Sequence, residues 1–381
     1  MINRSIFEPE HDQFRDSVRK FFETHAVPFH EQWEEDGEID RDLWLKAGEY
    51  GLLAPTVPEA YGGFGVDFRY NVVVVEEAMK LGLTGVGFFL HSDISVPYLI
   101  EHASEHLKQA YLPGCVTGES ILAIAMTEPG AGSDLQGIQA TAVREGDTYR
   151  INGAKTFITC GMQSDLCVVA CKTDPKAGAK GISLFLVESG TEGYTKGRNL
   201  KKVGMKAQDT SELFFDDVVI PADNLIGEEN KGFYYLMDCL PQERLSIAIG
   251  ALACAESVLE QTITYVKERK AFGKRLADLQ NTQFELADMS AQLTQQRVFI
   301  DQCIAWHIEG KLDAVMASKA KMLATDLTFK VNNRCLQLHG GYGYMWEFPV
   351  ARAFADSRVW SIYGGANEVM KLIIGRDLIK D

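Results

Sequence analysis

Residues 148–159 read TYRINGAKTFIT, a short apolar stretch bounded by turns that reads as a strand. LCVVACKT (166–173), GISLFLVES (181–189) and SELFFDDVVIP (211–221) follow with the same texture, and DPKAGAKG (174–181) reads as a hairpin loop. This stretch decides the fold because the chain on either side of it is helical. Upstream, Phe14, Val18, Phe21 and Phe22 recur at helical spacing, and Leu43, Ala47 and Tyr50 repeat the pattern. PEAYGGFGVD (58–67) is a Gly-rich loop; NVVVVEEAMKLG (71–82) mixes a β-branched run with helix formers, and its helical neighbours decide for helix. After NKGF (230–233), segments 241–269, 281–309 and 312–338 each exceed twenty residues with alanine-rich interiors, the lengths of a bundle. Residues 365–379 are helical as well. The predicted fold is mainly α with a central β-domain. Residues 1–122 form a helical N-terminal domain, 123–229 a small β-barrel or sandwich, and 230–381 a C-terminal four-helix bundle.

The 381 residues carry 38 Lys plus Arg against 53 Asp plus Glu, a net charge of −15. Such a surface is a poor match for nucleic-acid phosphates, so no nucleic-acid partner is expected. The cluster Lys196, Arg198, Lys201, Lys202 and Lys206 reads as a solvated β-loop. The eight cysteines are scattered without a CxxC pair, which fits reduced core thiols and neither zinc nor a disulfide framework. No apolar run approaches membrane-spanning length, so no membrane span is expected. Early charges from Glu8 to Arg15 leave no secretory h-region, and a cytoplasmic location is the expectation.

Four motifs stand out. MTEPGAGSD (126–134) could bring backbone N–H groups against a ligand, although locally it is an ordinary turn cluster. KTFITCG (155–161) sets an aromatic residue before a threonine at a strand end. ERKAFGKR (268–275) gathers cations after a long helix, where they are favourable in any case. QLHGGYGYMWE (337–347) is Gly-rich between helices, and a lone histidine such as His339 is more often a structural residue than a ligand. No metal site is indicated.

In this order the motifs resemble the acyl-CoA dehydrogenase family across nearly the whole chain. MTEPGAGSD matches the family's first signature and QLHGGYGYMWEFPVARAFAD (337–356) its second. The likeness is greatest to the long-chain branch, on MTEPGAGSDLQG, KAQDT, GEENKGFYY, PQERL, LHGGYGYMWE and IYGGANE. The resemblance implies non-covalent FAD and oxidation of a medium-to-long-chain fatty acyl-CoA to its trans-2-enoyl-CoA. A base would take the α-proton and flavin N5 the hydride, with an electron-transfer flavoprotein as acceptor and a homotetramer as the assembly. Carried over by motif, Ile124, Met126, Thr127, Gly132, Ser133, Phe157, Ile158 and Thr159 would contact the flavin. Arg269, Phe272, Gln280 and Gln337, Leu338, His339, Gly340 and Gly341 would hold the rest of FAD from a neighbouring subunit, with Ala366, Asn367 and Glu368 also at the cofactor. Ser133, Tyr234, Tyr235, Pro241, Gln242, Arg244, Tyr363 and Gly365 would meet the substrate. The rivals are an oxidase or a branched-chain acyl-CoA dehydrogenase on the same fold, or an inactive scaffold.

One departure from the common family pattern matters. SIYGGANEVM (361–370) has Gly364 where the family usually places its catalytic glutamate. The chemistry still needs a positioned base. Glu243, in LPQERL (240–245), is the candidate. Locally, Pro241 suits a first helical turn and Glu243 would be a capping residue near N3. The long-chain and isovaleryl branches, however, carry their glutamate in this Glu-Arg-Leu context and a small residue at the other position. The helix N-terminus and Arg244 would favour the carboxylate, while a docked acyl chain would raise its pKa by desolvation. Gly364 would keep a role through its backbone N–H, aimed at the thioester carbonyl. Glu347 and Glu368 are the reserve candidates. The acyl pocket floor is expected from the N-terminal helices and GVGFFLHSDISVPYL (85–99), with Gly85 and Gly87 permitting depth.

Overall fold

The computed structural model describes residues 4–380. Six helices come first: α1 (Pro9–His25), α2 (His30–Asp36), α3 (Arg41–Glu49), α4 (Arg69–Lys80), α5 (Val96–His102) and α6 (Glu105–Thr117). A π-helical segment, Leu90–Ser95, leads into α5. Eight strands follow: β1 (Leu122–Ala125), β2 (Thr141–Glu145), β3 (Thr148–Thr159), β4 (Leu166–Lys172), β5 (Ile182–Glu188), β6 (Tyr194–Asn199), β7 (Thr210–Pro221) and β8 (Leu225–Ile226). The chain closes with α7 (Gly232–Glu268), α8 (Gln280–Ile308), α9 (Ala314–His339), α10 (Pro349–Ser357) and α11 (Asn367–Leu378). Residues 71–80 are helical, as their neighbours dictate.

The strands form one sheet in the order β6-β7-β3-β2-β4-β5-β8, with β1 pairing in parallel to β4. Alternate residues feed two different cores. Leu122, Ile124, Leu166, Val168, Leu184 and Leu186 join the helices, whereas Ala123, Ala125, Cys167, Val169, Phe185 and Val187 fill a separate β-core. A strand buried on both faces must be apolar throughout, which is why β4 and β5 read as unbroken runs. Strands β1, β2, β6 and β8 are short or polar and escape the periodicity argument.

Helix α7 is the axis of the C-terminal bundle and packs on α4, α8 and α9. It corrects one expectation. An 18-residue window within it has mean hydropathy 1.2, long and apolar enough by composition to cross a membrane, although 67% of that window is buried inside the protein. Helix α7 also begins at Gly232, so Pro241 lies in its interior and Glu243 well past its first turn. Proline there forfeits one backbone bond, which the packing of a 37-residue helix tolerates. The cation cluster at 196–206 is largely structural: Lys196 donates to the Met162 carbonyl, Lys202 to that of Gln208, and Lys206 lies 3.7 Å over the Trp346 ring.

Candidate active site

Glu243 is 3% exposed. Its Oε1 accepts a 2.7 Å hydrogen bond from the hydroxyl of Tyr98, itself fully buried on α5. Burial pushes the Glu243 carboxyl up to about 7, against the opposing pull of Tyr98 and Arg244. The helix-dipole effect expected for an N3 residue does not apply in the helix interior. Desolvation already prevails without a docked chain. Arg244 turns away: its Nη1 donates to Ser318 Oγ at 3.3 Å, and its buried Nε has no partner among the described residues.

One turn along the same helix face, Ile247 meets Gly364. A Cβ added to Gly364 would lie 2.3 Å from Ile247 Cδ1, and the glycine sits at φ +61°. Residues 243, 247 and 364 are therefore neighbours around one point, since i and i+4 side chains share a face. The 364–367 turn is fixed from behind by Lys321, buried on α9, whose Nζ donates to Gly365 O and Asn367 Oδ1 at 2.9 Å each. Burial and Arg244 push this ammonium down to about 8. Tyr363 is half-buried beside the turn, while Glu347 and Glu368 are exposed and far less suited to base chemistry than Glu243.

The second group lies on the sheet. Ile124 and Ile158 are buried, Met126, Thr127 and Thr159 half-buried, and Gly132 and Ser133 exposed. Strand β3 breaks register between Lys155 and Ile158, and within that bulge Phe157 adopts φ +59° with its ring 67% exposed. Bulges re-aim side chains in this way. Thr156 N donates to Thr127 O, joining the loop to the strand. Beneath, the fully buried Lys155 Nζ donates to Glu128 Oε1, Met126 O and Ala170 O, and Glu128 accepts from the amides of Gln139 and Ala140. This frame presents an outward aromatic face beside a loop of small residues, where nothing lies within 4 Å of a Cβ added to Gly130 or Gly132. Such a surface fits a flat heteroaromatic group.

The third group is remote. Arg269 follows α7, about 39 Å along the helix axis from Glu243. Phe272 is 96% exposed, and Gln280, Gln337, Gly340 and Gly341 are exposed too, with Leu338 half-buried. None of the closely packed element pairs joins this region to β1 or β3. His339 is inward: it stacks on Tyr265 at 4.2 Å and its Nδ1 lies 2.9 Å from Cys335 O. Asn367 is likewise occupied, by Lys321, Thr325 and Asp326, and Ala366 caps α11. Any ligand contact from His339 or Asn367 would fall to backbone. Of the other residues expected to meet a substrate, Tyr234 is exposed, Tyr235 stacks on His102 at 4.3 Å, Pro241 is half-buried, and Gln242 donates to Asp93 O.

Residues 8–119, 123–218 and 230–379 match the N-terminal, middle and C-terminal domains of acyl-CoA dehydrogenase. The chain belongs to the acyl-CoA dehydrogenase family. It is 50% identical over 380 residues to the mitochondrial long-chain specific acyl-CoA dehydrogenase of Rattus norvegicus, covering 99% of this chain and 88% of that one. It superposes on an acyl-CoA dehydrogenase from Geobacillus kaustophilus with TM-score 0.97 at 51% identity, covering 99% and 100% of the two chains. A glutaryl-CoA dehydrogenase from Mycobacterium smegmatis in complex with FADH2 aligns with TM-score 0.92 at 27% identity, over 99% and 96%.

In this acyl-CoA dehydrogenase family member, sequence reasoning missed Tyr98, Ile247 and Lys321. Tyr98 lies within the 85–99 segment, but nothing in sequence links it to a residue 145 positions away. Gly85 and Gly87 do not open a cavity. A Cβ on Gly85 would meet Ala207 at 2.3 Å, and one on Gly87 the Cys160 sulfur at 2.6 Å, so both glycines serve close packing.

Proposed function

We propose that this chain is an FAD-dependent acyl-CoA dehydrogenase that converts a medium-to-long-chain fatty acyl-CoA to the trans-2-enoyl-CoA, with Glu243 as the base. The observation that carries the assignment is a buried carboxylate without a paired cation, one helical turn from the Ile247–Gly364 contact. A base with a pKa near the working pH combines ionised population with proton affinity. Its carboxylate takes the α-proton. Gly364 N–H, on a turn pinned by Lys321, donates to the thioester carbonyl as negative charge develops there, a contact of the kind worth ~3–4 kcal/mol. FAD supplies the acceptor for the β-hydride. The 124–133 loop and Phe157, Ile158 and Thr159 would hold its flavin.

The test is Glu243→Gln. FAD should be retained while turnover of acyl-CoA falls about 10³-fold or more; near-normal turnover would sink the assignment. Adding Gly364→Glu should restore only part, because that residue must accept a positive φ and displace Ile247.

Arg269, Phe272, Gln280 and 337–341 would complete the cofactor site of a second copy in a homotetramer. The exposure of Arg269, Phe272, Gln280, Gln337, Gly340 and Gly341 and their distance from Glu243 support this. Dilution to monomer should then release flavin; full retention of flavin absorbance in a monomer rejects it. An electron-transfer flavoprotein is the proposed electron acceptor. A cytoplasmic location is proposed from the sequence, whereas the rat relative is mitochondrial by name; subcellular fractionation decides.

A further inference from the structure

Lys321 occupies a place unfavourable to a cation in three ways. It is fully buried on α9. It reaches the N-terminus of α11, the end of a helix that favours anions. And its Nζ donates to two uncharged oxygens, Gly365 O and Asn367 Oδ1, without forming an ion pair among the described residues. The charged groups acting on it are Arg244 from α7, which opposes the ammonium, and Asp326 of α9 and Glu368 of α11, which favour it but are exposed. A buried charge is costly, and an apolar side chain of similar volume often serves stability as well or better. Packing alone therefore does not call for a lysine here.

What the lysine holds is a turn that cannot hold itself. Gly364 and Gly365 lie at φ +61° and +88°, a region glycine enters and leaves freely, so partners must fix the direction of their peptide groups. Apolar contacts do this on one side: a Cβ on Gly364 would meet Ile247, and one on Gly365 would lie 2.7 Å from Met370 Cε. On the other side stands a polar stripe of α9, Ser318, Lys321 and Thr325, all buried and spaced to share one helix face. Ser318 receives Arg244, Lys321 bridges Gly365 O to Asn367 Oδ1, and Thr325 accepts from Asn367 Nδ2 at 3.0 Å. Asn367 Nδ2 also donates to Asp326 Oδ1 at 2.7 Å. Within this stripe only Lys321 grips the backbone of the glycine turn.

Resting on the function proposed above, we infer that Lys321 is a positioning residue whose charged form holds the Gly364–Gly365 turn, and with it Gly364 N–H, in place for the thioester carbonyl. An ammonium has three N–H donors and no acceptor. Losing a proton leaves two donors and turns a lone pair towards two amide oxygens, and it removes a positive charge from beside the place where negative charge develops. Burial and Arg244 push Lys321 down to about 8, so this loss falls just above neutrality. The kcat/KM profile should then be a narrow bell, rising through about 7 as Glu243 ionises and falling through about 8 as Lys321 loses its proton.

The test follows anaerobic flavin reduction of the holoenzyme by dodecanoyl-CoA at low salt, from about pH 6 to about pH 9.5. The wild type should show the alkaline limb. Lys321→Met should lose that limb and, with FAD retained, run about 10-fold or more slower at neutral pH, as when a donor to the developing charge is misplaced. Asp326→Asn keeps an acceptor for Asn367 but removes an exposed charge that favours the ammonium. It should move the limb to lower pH and keep the height of the plateau. A wild-type rate that holds to the top of the range overturns the role, as does a limb that persists in Lys321→Met or stays in place in Asp326→Asn. The Asp326 variant decides alone where Lys321→Met does not fold. Flavin reduction without an alkaline limb leaves the dehydrogenase standing without this role for Lys321, and no reduction at any pH overturns both.

Discussion

Glu76 and Glu243 stand on two helices that pack together, α4 and α7, and both are removed from solvent. Burial pushes both carboxyls up. For Glu76 that push is overcome by Arg297 at 2.8 Å, Arg4 at 2.7 Å and Arg15 at 2.9 Å, which hold it far below the usual carboxylate range. Glu243 has one neutral donor, Tyr98, and an Arg244 whose guanidinium faces Ser318 instead, so it settles near 7. Equal burial thus yields a permanent structural anion in one place and a carboxyl that titrates near neutrality in the other. The number of cations in reach makes the difference, and a buried but unpaired carboxyl is a candidate for chemistry where it also faces a site.

The largest effect expected from this contrast is on stability. Glu76→Gln would set three guanidiniums around an uncharged amide. Each keeps one other carboxylate, Asp301 for Arg4, Glu77 for Arg15 and Glu256 for Arg297, and breaking the centre of such a buried network costs up to ~3–5 kcal/mol. Urea midpoints at neutral pH measure it. The pH dependences should run in opposite senses. The folded-state pKa of Glu76 is depressed, so its contribution is full above the ordinary value of 4.5 and is lost as pH falls. That of Glu243 is raised, so its neutral form favours the folded state below 4.5 and this contribution is lost as pH rises through about 7. Glu243→Gln should therefore stabilise the protein at pH 8, by at most ~3 kcal/mol, and hardly at pH 4.5. An equal effect at both pH values would mean that the carboxyl does not titrate in this window.

That contrast was only half legible in the sequence. The long helices and the strands β3, β4, β5 and β7 follow from local period and turns, and the family motifs located Glu243. Local sequence could not separate a capping glutamate near N3 from a buried one, because Pro241 signals a helix start where the helix has already run nine residues. Packing overrides that signal. Nor could it reveal that Lys155 braces the 126–134 loop or that Lys321 braces the 364–367 turn, since both lysines look like solvent-facing charges until the fold buries them. Long-range partners are what local sequence omits. Arg4 and Arg297 meet one carboxylate from positions far apart in the chain.

The smallest and most discriminating effect concerns Tyr98. Tyr98→Phe keeps the ring and removes the hydroxyl donor to Glu243 Oε1, so the carboxylate loses a hydrogen bond that the neutral acid needs less. The pKa near 7 should rise by ~1, moving the acid limb of kcat/KM to higher pH and leaving the alkaline rate nearly intact. A purely structural role for Tyr98 would instead lower the rate equally at every pH. The two kinetic parameters then divide the explanation further, because kcat/KM reports the free enzyme and kcat the substrate complex. A shift in kcat/KM with none in kcat would mean that the carboxylate leaves Tyr98 when substrate binds and turns to the α-carbon. A shift in both would mean that one oxygen stays on Tyr98 while the other takes the proton, making the hydroxyl a fixed guide for the base throughout the reaction.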